Sequence, residues 1–380
     1  MAIRKRATRE GRSEKTNPIY PNILSRRMLV ALLGVGCFAF AAFADDWSAT
    51  VTAAKPITLT AGKPATMTAG KPAMPAVNQP VMFNTPEADA ILAALQVFPP
   101  DNPWNEDISK LPVLTNSKEM IATIGAEKRL AHNLDMAFVL VPGDQPRVEA
   151  KILSYPTESD KGPYPIPDNA PIEDWPLDGR TLAAAQGGME NGDRHVIVVD
   201  PVNRMLYEFY QGRKTASDRA PSPAHVSWQC ACAAIFDLKS NKLRPDGWTS
   251  TDAAGLPIFP AIIRYDEVER GMVEHAMRFT VRHTRHAYVY PATHFASSRR
   301  DPNLPRMGER FRLRADFDIT GFSPHMQAIL KGLKKYGMFV ADNGGDWRIS
   351  VAPDKRIQGL DEFRRLKGSD FEVVETTGPT

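Results

Sequence analysis

Cysteine is scarce in this 380-residue chain, which holds only Cys37, Cys230 and Cys232. Three thiols make no disulfide framework, and without a second Cys pair they cannot complete a four-ligand zinc site. No G-x-S-x-G elbow, phosphate-cradling P-loop or strand-following G-x-G-x-x-G occurs. These absences argue against serine hydrolysis, nucleotide hydrolysis and dinucleotide-dependent chemistry. Alternation of strands and helices in βαβ order is also missing, so a doubly wound parallel sheet is not expected.

Net charge is small but unevenly placed. The chain carries 47 basic and 44 acidic side chains, a formal +3. Residues 1–27 hold eight basic and two acidic residues, so the remaining 353 sum to −3. A nucleic-acid partner is therefore not expected of the body of the chain.

The basic stretch ends at Arg27 and is followed by Met28–Ala44, seventeen uncharged residues closing on Ala42-Phe43-Ala44. This is the layout of a cleavable signal peptide spanning 1–44. Ser25-Arg26-Arg27-Met28-Leu29 resembles a twin-arginine signal without its usual lysine, which leaves Tat or Sec export open. The expected address is periplasmic or extracellular, with no stable membrane span after cleavage. Cys37 would leave with the signal. Cys230 and Cys232, one residue apart, then face an oxidising compartment as a strained bridge, two buried thiols or a redox pair.

Residues 45–85 are rich in Ala, Thr, Pro and Lys, with the tandem echo TLTAGKPATMTAGKPAMPA, and read as a disordered linker. Residues 86–380 read as one β-rich globular domain. ADAILAALQVF has helical spacing. HVIVVD and RMLYEFYQG form a hairpin pattern across Pro201-Val202-Asn203. EHAMRFTV and HAYVYPA read as a second strand pair. Over Arg310–Ile319, apolar Phe311, Leu313, Ala315, Phe317 and Ile319 alternate with charged residues, as in a strand with one wet face. An amphipathic helix is expected over 324–336, with Ser323 as N-cap, Pro324 at its first position and Gly337 closing it. MFVA, DNGGD and WRISVA then read as another hairpin. The expected fold is mainly β, a β-rich α+β domain of antiparallel sheets, sandwich- or jelly-roll-like, with long Pro/Gly-rich loops between Tyr155 and Gly192.

Taken together, YPIPDNAPIE, GDRHVIVVD, LYEFY, FDLKSNKLRPDGWTSTDAAGLPIFPAIIRYDEV, HAMRFTV, YPATHFASS and KKYGMFVADNGGDW resemble a widespread family of secreted bacterial proteins usually labelled hypothetical. The resemblance covers Phe98 to the C-terminus. It implies an exported single domain and assigns no reaction.

Candidate chemistry rests on single side chains. His275, His283, His286 and His294 fall within twenty residues, but their spacing matches no familiar metal motif, so no metal ligands are assigned. Glu208, Asp266 and Asp342 are strand-end carboxylates, and a carboxyl pair is the requirement of glycoside hydrolysis. Asp266 and Glu267 also suit a one-turn helix N-terminus. Arg278, Tyr290 and His294 together suit a polysaccharide lyase, with Arg neutralising a uronate and Tyr or His moving protons. Trp104, Trp175, Trp228, Trp248 and Trp347 either stack on sugar rings or fill the core. The expected function is a secreted carbohydrate-active enzyme, hydrolase or lyase, with Glu208, Asp266, His275 and His294 catalytic and Arg278, Tyr290, Trp228 and Trp248 binding substrate. The alternative is a non-catalytic glycan- or envelope-binding protein on a flexible tether. The partner is a polysaccharide or envelope glycan in either case. Cofactor and oligomeric state are unassigned.

Overall fold

The computed structural model describes residues 71–188, 192–215 and 228–378. The expected signal peptide, and the linker as far as residue 70, lie outside the described residues. The described body is strand-rich and organised around three sheets.

The first sheet has the order β1 (Val81–Met82), β3 (Phe138–Leu140), β5 (Val196–Asp200), β6 (Met205–Tyr210) and β9 (Cys232–Asp237). HVIVVD is continuously apolar because both faces of β5 are covered. Val196 and Val198 point into one apolar cluster with Tyr164 and Phe209, while Ile197 and Val199 point into the larger one with Phe138 and Phe259. The β5–β6 hairpin forms as the sequence pattern predicts. The body starts earlier than residue 86: Val77, Val81 and Phe83 are buried, and Val81 pairs with Leu140.

The second sheet has the order β14 (Phe371–Val374), β11 (Arg310–Leu313), β12 (Met338–Asn343), β10 (Met277–Val281), β13 (Arg348–Val351) and β2 (Ala131–Leu134). The third, smaller sheet is β4 (Ala150–Ile152), β8 (Trp228–Cys230) and β7 (Arg213–Lys214). Purely antiparallel pairing is not observed. β3–β5, β10–β12, β13–β2 and β4–β8 are parallel, so the sheets are mixed and lack the all-antiparallel connectivity of a jelly roll.

Three local expectations are also corrected. MFVA and WRISVA do not pair with each other; β10 inserts between them, parallel to β12 and antiparallel to β13. The Asn-Gly turn thus crosses over a central strand instead of closing a two-residue hairpin. The alternating stretch stops being a strand at Leu313, and of its three arginines only Arg314 is exposed. Arg310 and Arg312 are buried. Arg310 lies 4.0 Å above the Phe339 ring and donates to the Tyr336 and Pro103 carbonyls. Arg312 meets Glu372 at 2.7 Å. Period two marked two buried faces, one lined with paired cations. HAYVYPA contributes one bridge, Tyr288 to Met307, and is otherwise loop.

Helices follow their local signals. α1 (Pro86–Ala94) is capped by the Thr85 hydroxyl, which accepts from the Ala88 amide. α2 (Ser117–Ile124) and α3 (Leu182–Gly187) are short. α4 (Tyr265–Glu269) is the one-turn helix expected from RYDEV. α5 (Pro324–Lys335) buries Met326, Ile329, Leu330 and Leu333. Gly337 ends it with φ of 65°, where a Cβ would sit 2.1 Å from the Phe311 carbonyl oxygen. Cys230 and Cys232 close β8 and open β9 as two buried free thiols.

Candidate functional site

The polar contacts of the interior converge on one loop, Ser250–Gly255, which carries no regular structure. Glu208 of β6 anchors it from below. Its carboxylate accepts from the Ile258 and Phe259 amides and from the Thr251 hydroxyl, at 2.8–3.1 Å. Burial pushes Glu208 up to about 7 against the pull of those donors. Every contact it makes is to its own fold, so its place is that of a clamp.

From the second sheet, Arg278 of β10 reaches the next residue, Asp252. Nε and Nη2 donate to the two carboxylate oxygens at 3.0 Å each, and Nη1 donates to the Ser350 hydroxyl at 2.5 Å. Both ions are buried, with side-chain exposures of 4% and 0%. An ion pair so placed persists only when its hydrogen bonds are satisfied, as they are here. On the other side of the loop, His195 Nε2 lies 2.9 Å from the Thr251 carbonyl, and its Nδ1 lies 3.1 Å from Glu173. Burial alone would depress this histidine, but Glu173 outweighs it and raises His195 to about 10.

Asp342, at the bulged end of β12, faces this group. The β10–β12 register slips between Phe279 and Thr280, bringing Asp342 opposite Thr280. Asp342 is half-buried and accepts from the Asn343 amide. Burial first, then the negative charge of Asp252, lift it to about 7, with Arg278 opposing and Asp193 adding to the rise. Asp135 lies behind, lifted to about 7 by burial and by Glu173. Its Oδ1 is buried without a partner. The result is a carboxyl lifted towards neutrality beside a buried arginine–carboxylate pair, an arrangement that offers a proton donor for acid–base cleavage.

Residues 282–300 frame the acids. Thr284 exchanges hydrogen bonds with Asn343, next to Asp342, at 3.2 Å. His294 Nδ1 donates to the Ala253 carbonyl, next to Asp252, at 2.8 Å. That bond places a proton on Nδ1 and turns Nε2 away from the Ala253 carbonyl. Between these staples the rings gather on Phe295: His294 is coplanar within 4°, Tyr288 within 14°, and His286 lies 3.9 Å away. Gly255, with φ of 74°, lets the loops meet; its Cβ would sit 2.1 Å from the Thr293 hydroxyl.

The candidates read from the sequence are dispersed. Arg278 and His294 belong to this site, and Glu208 supports it. Asp266 and His275 lie elsewhere, around α4. There Arg264 bridges to Glu267 at 2.9 Å, His275 Nε2 meets Glu267 at 2.9 Å, and Arg270 holds Asp266 at 2.7 Å. Among the described residues no hydrogen bond or ion pair joins that group to Arg278 or Asp252. Trp228 is core, packed with Tyr164 and Phe209. Trp248 is half-buried below the Arg244 guanidinium, its carbonyl accepting from Thr293. Tyr290 lines a shallow surface depression with Glu106, Phe339 and Arg310. Trp104 and Trp347 are core residues. Asp252, Asp135, Glu173 and His195 were not singled out by sequence reasoning, because no spacing rule joins four residues on four separate segments. Among the described residues no three His, Cys, Asp or Glu side chains are grouped to hold a metal ion.

No protein-family model, no curated protein and no solved structure matches the chain.

Proposed function

We propose that the chain is an exported carbohydrate-active enzyme that cleaves polysaccharide at Asp342, beside the Arg278–Asp252 pair, and that the N-terminal 44 residues are its export signal. The observation that carries this reading is the pairing of a half-buried carboxyl lifted to about 7 with a carboxylate locked by Arg278. In either route the glycosidic C–O bond breaks as Asp342 gives its proton to the leaving oxygen. In hydrolysis, water completes the sugar C1 and restores that proton. In elimination, His294 Nε2 removes the proton beside the uronate carboxylate and a C=C bond forms in place of the broken C–O bond. Asp252 and Arg278 are buried away from the substrate, and their ion pair positions the Ser250–Gly255 loop that carries the His294 contact.

The aromatic group on Phe295 also favours a second reading, a glycan-binding protein without catalysis, since ring faces suffice to hold sugars. Incubating the purified protein with a polysaccharide panel separates the two. New reducing ends or unsaturated products support the enzyme; glycan retention with no product in any mixture supports the binder. No helix among the described residues is long and apolar enough to cross a membrane.

A further inference from the structure

Resting on that reading, we infer that the glycan taken by this site is polyanionic, its negative groups held by the arginines of the 282–300 loop and its sugar faces by the rings of the same loop. Residues 282–300 contain Arg282, Arg285, Arg299 and Arg300 and no Asp or Glu. This stands out in a body whose net charge is −3. The two ends of the loop are held side by side, with the His286 amide donating to the Arg299 carbonyl at 2.6 Å and His286 Nδ1 bonded to the Ser297 carbonyl at 2.7 Å. His283 sits in the resulting field, held below its ordinary value by burial and then by Arg299 and Arg282.

These charges are largely unspent. Arg299 and Arg300 are exposed, and no carboxylate among the described residues pairs with either. Arg282 is 69% exposed and reaches Asp346 only at 4.0 Å, while Asp346 is already held by Lys128 at 2.7 Å. The same loop is tied to the catalytic residues through Thr284–Asn343 and His294–Ala253. A chain crossing Asp342 therefore runs along the rings and past the arginines. Exposed cations attract polyanions over roughly a Debye length of about 8–10 Å at moderate salt, so the pull is strongest for ligands with a charge on each repeat. Uronate carboxylates and sulfate esters both meet this need. Single-stranded nucleic acid also pairs charge with stacking, and it is the competitor that the DNA arm of the test decides.

The test uses the full chain carrying Asp342→Asn, so that turnover does not deplete the ligand, titrated with polygalacturonate, dextran sulfate, neutral dextran and single-stranded DNA. Binding to polygalacturonate or dextran sulfate about tenfold tighter than to dextran is expected, weakening as salt rises. Preference for the first assigns uronate; preference for the second assigns sulfate. Arg299→Gln with Arg300→Gln should remove about tenfold of that preference, and Phe295→Ala should weaken every glycan. Equal affinity for dextran, tighter binding to DNA than to either polyanion, or a double variant indistinguishable from its parent overturns the inference. Wild-type protein that binds polygalacturonate without cleaving it would leave the inference standing and defeat the enzymatic reading. Cleavage confined to neutral glycans would do the reverse.

Discussion

Arg278 grips Asp252 through two parallel bonds, Nε to Oδ2 and Nη2 to Oδ1, each 3.0 Å long. The pair links the second sheet to the loop that Glu208 holds on the first, so it joins the two main sheets through a single fork. It also lies beside Asp342, whose carboxyl burial lifts to about 7. Stability and chemistry therefore share these atoms, and the two can be separated by choice of variant.

Arg278→Met leaves Asp252 buried and uncompensated, which should cost about 3–5 kcal/mol. Asp252→Leu combined with Arg278→Met should recover much of that loss while abolishing activity. Chemical denaturation of the two variants checks this. A loss below about 1 kcal/mol for the single change would show that water reaches the pair.

If Asp342 is the acid of the proposed cleavage, activity should fall as pH rises through about 7, as its proton is lost. The groups facing it are Asp252, Arg278 and Asp193. The folded value is raised above the ordinary 3.8, so on raising pH the unfolded chain releases this proton first. The Asp342 contribution to stability is therefore neutral at low pH, declines between about 4 and 7, and is constant above. A rate that climbs through pH 7 would point to a base instead of an acid at this position.

Glu173→Gln should expose what the His195 pair contributes. The folded value of His195 is raised to about 10 from 6.5. Its stabilisation is thus complete below about 6.5 and lost as pH rises through about 10. The stability gap between wild type and Glu173→Gln should be widest near neutrality and below, and narrow towards pH 10. Imidazole NMR at pH 8 should show a protonated ring in the wild type. A neutral ring there would contradict the assignment.

Glu208→Leu leaves the Ile258 and Phe259 amides and the Thr251 hydroxyl without their buried acceptor. A loss of about 1–3 kcal/mol is expected. If Glu208 is a clamp, the folded fraction should keep its pH profile. A profile that loses its shape while stability is unchanged would make Glu208 a catalytic residue.

The sequence displayed what local rules govern. Pro324 and Gly337 mark the two ends of α5 by backbone chemistry acting within a few residues, and those ends appear where expected, although the Ser323 hydroxyl makes no capping bond. The β5–β6 hairpin was readable for the same reason. Pairing across the chain was not. Nothing within MFVADNGGDWRIS tells that Met277–Val281 will insert between its halves, since both arms satisfy strand propensity with either partner. Arg310 and Arg312 misled because alternation marks two faces without saying that both are buried. The site followed suit. Arg278 and His294 were conspicuous, and Asp342 was visible as a strand-end acid. Asp252 acquires its meaning only from an arginine 26 residues away, and His195 only from Glu173.

The most direct test is product release from a panel of neutral and anionic polysaccharides by wild type and Asp342→Asn, with circular dichroism confirming that both are folded. Wild type should release reducing ends or unsaturated sugars at or below neutral pH, and Asp342→Asn should lose about 10²-fold or more of that rate. Equal rates for the two folded proteins, or no product from wild type on any polysaccharide, would contradict the assignment of Asp342 as the acid of a glycan-cleaving site.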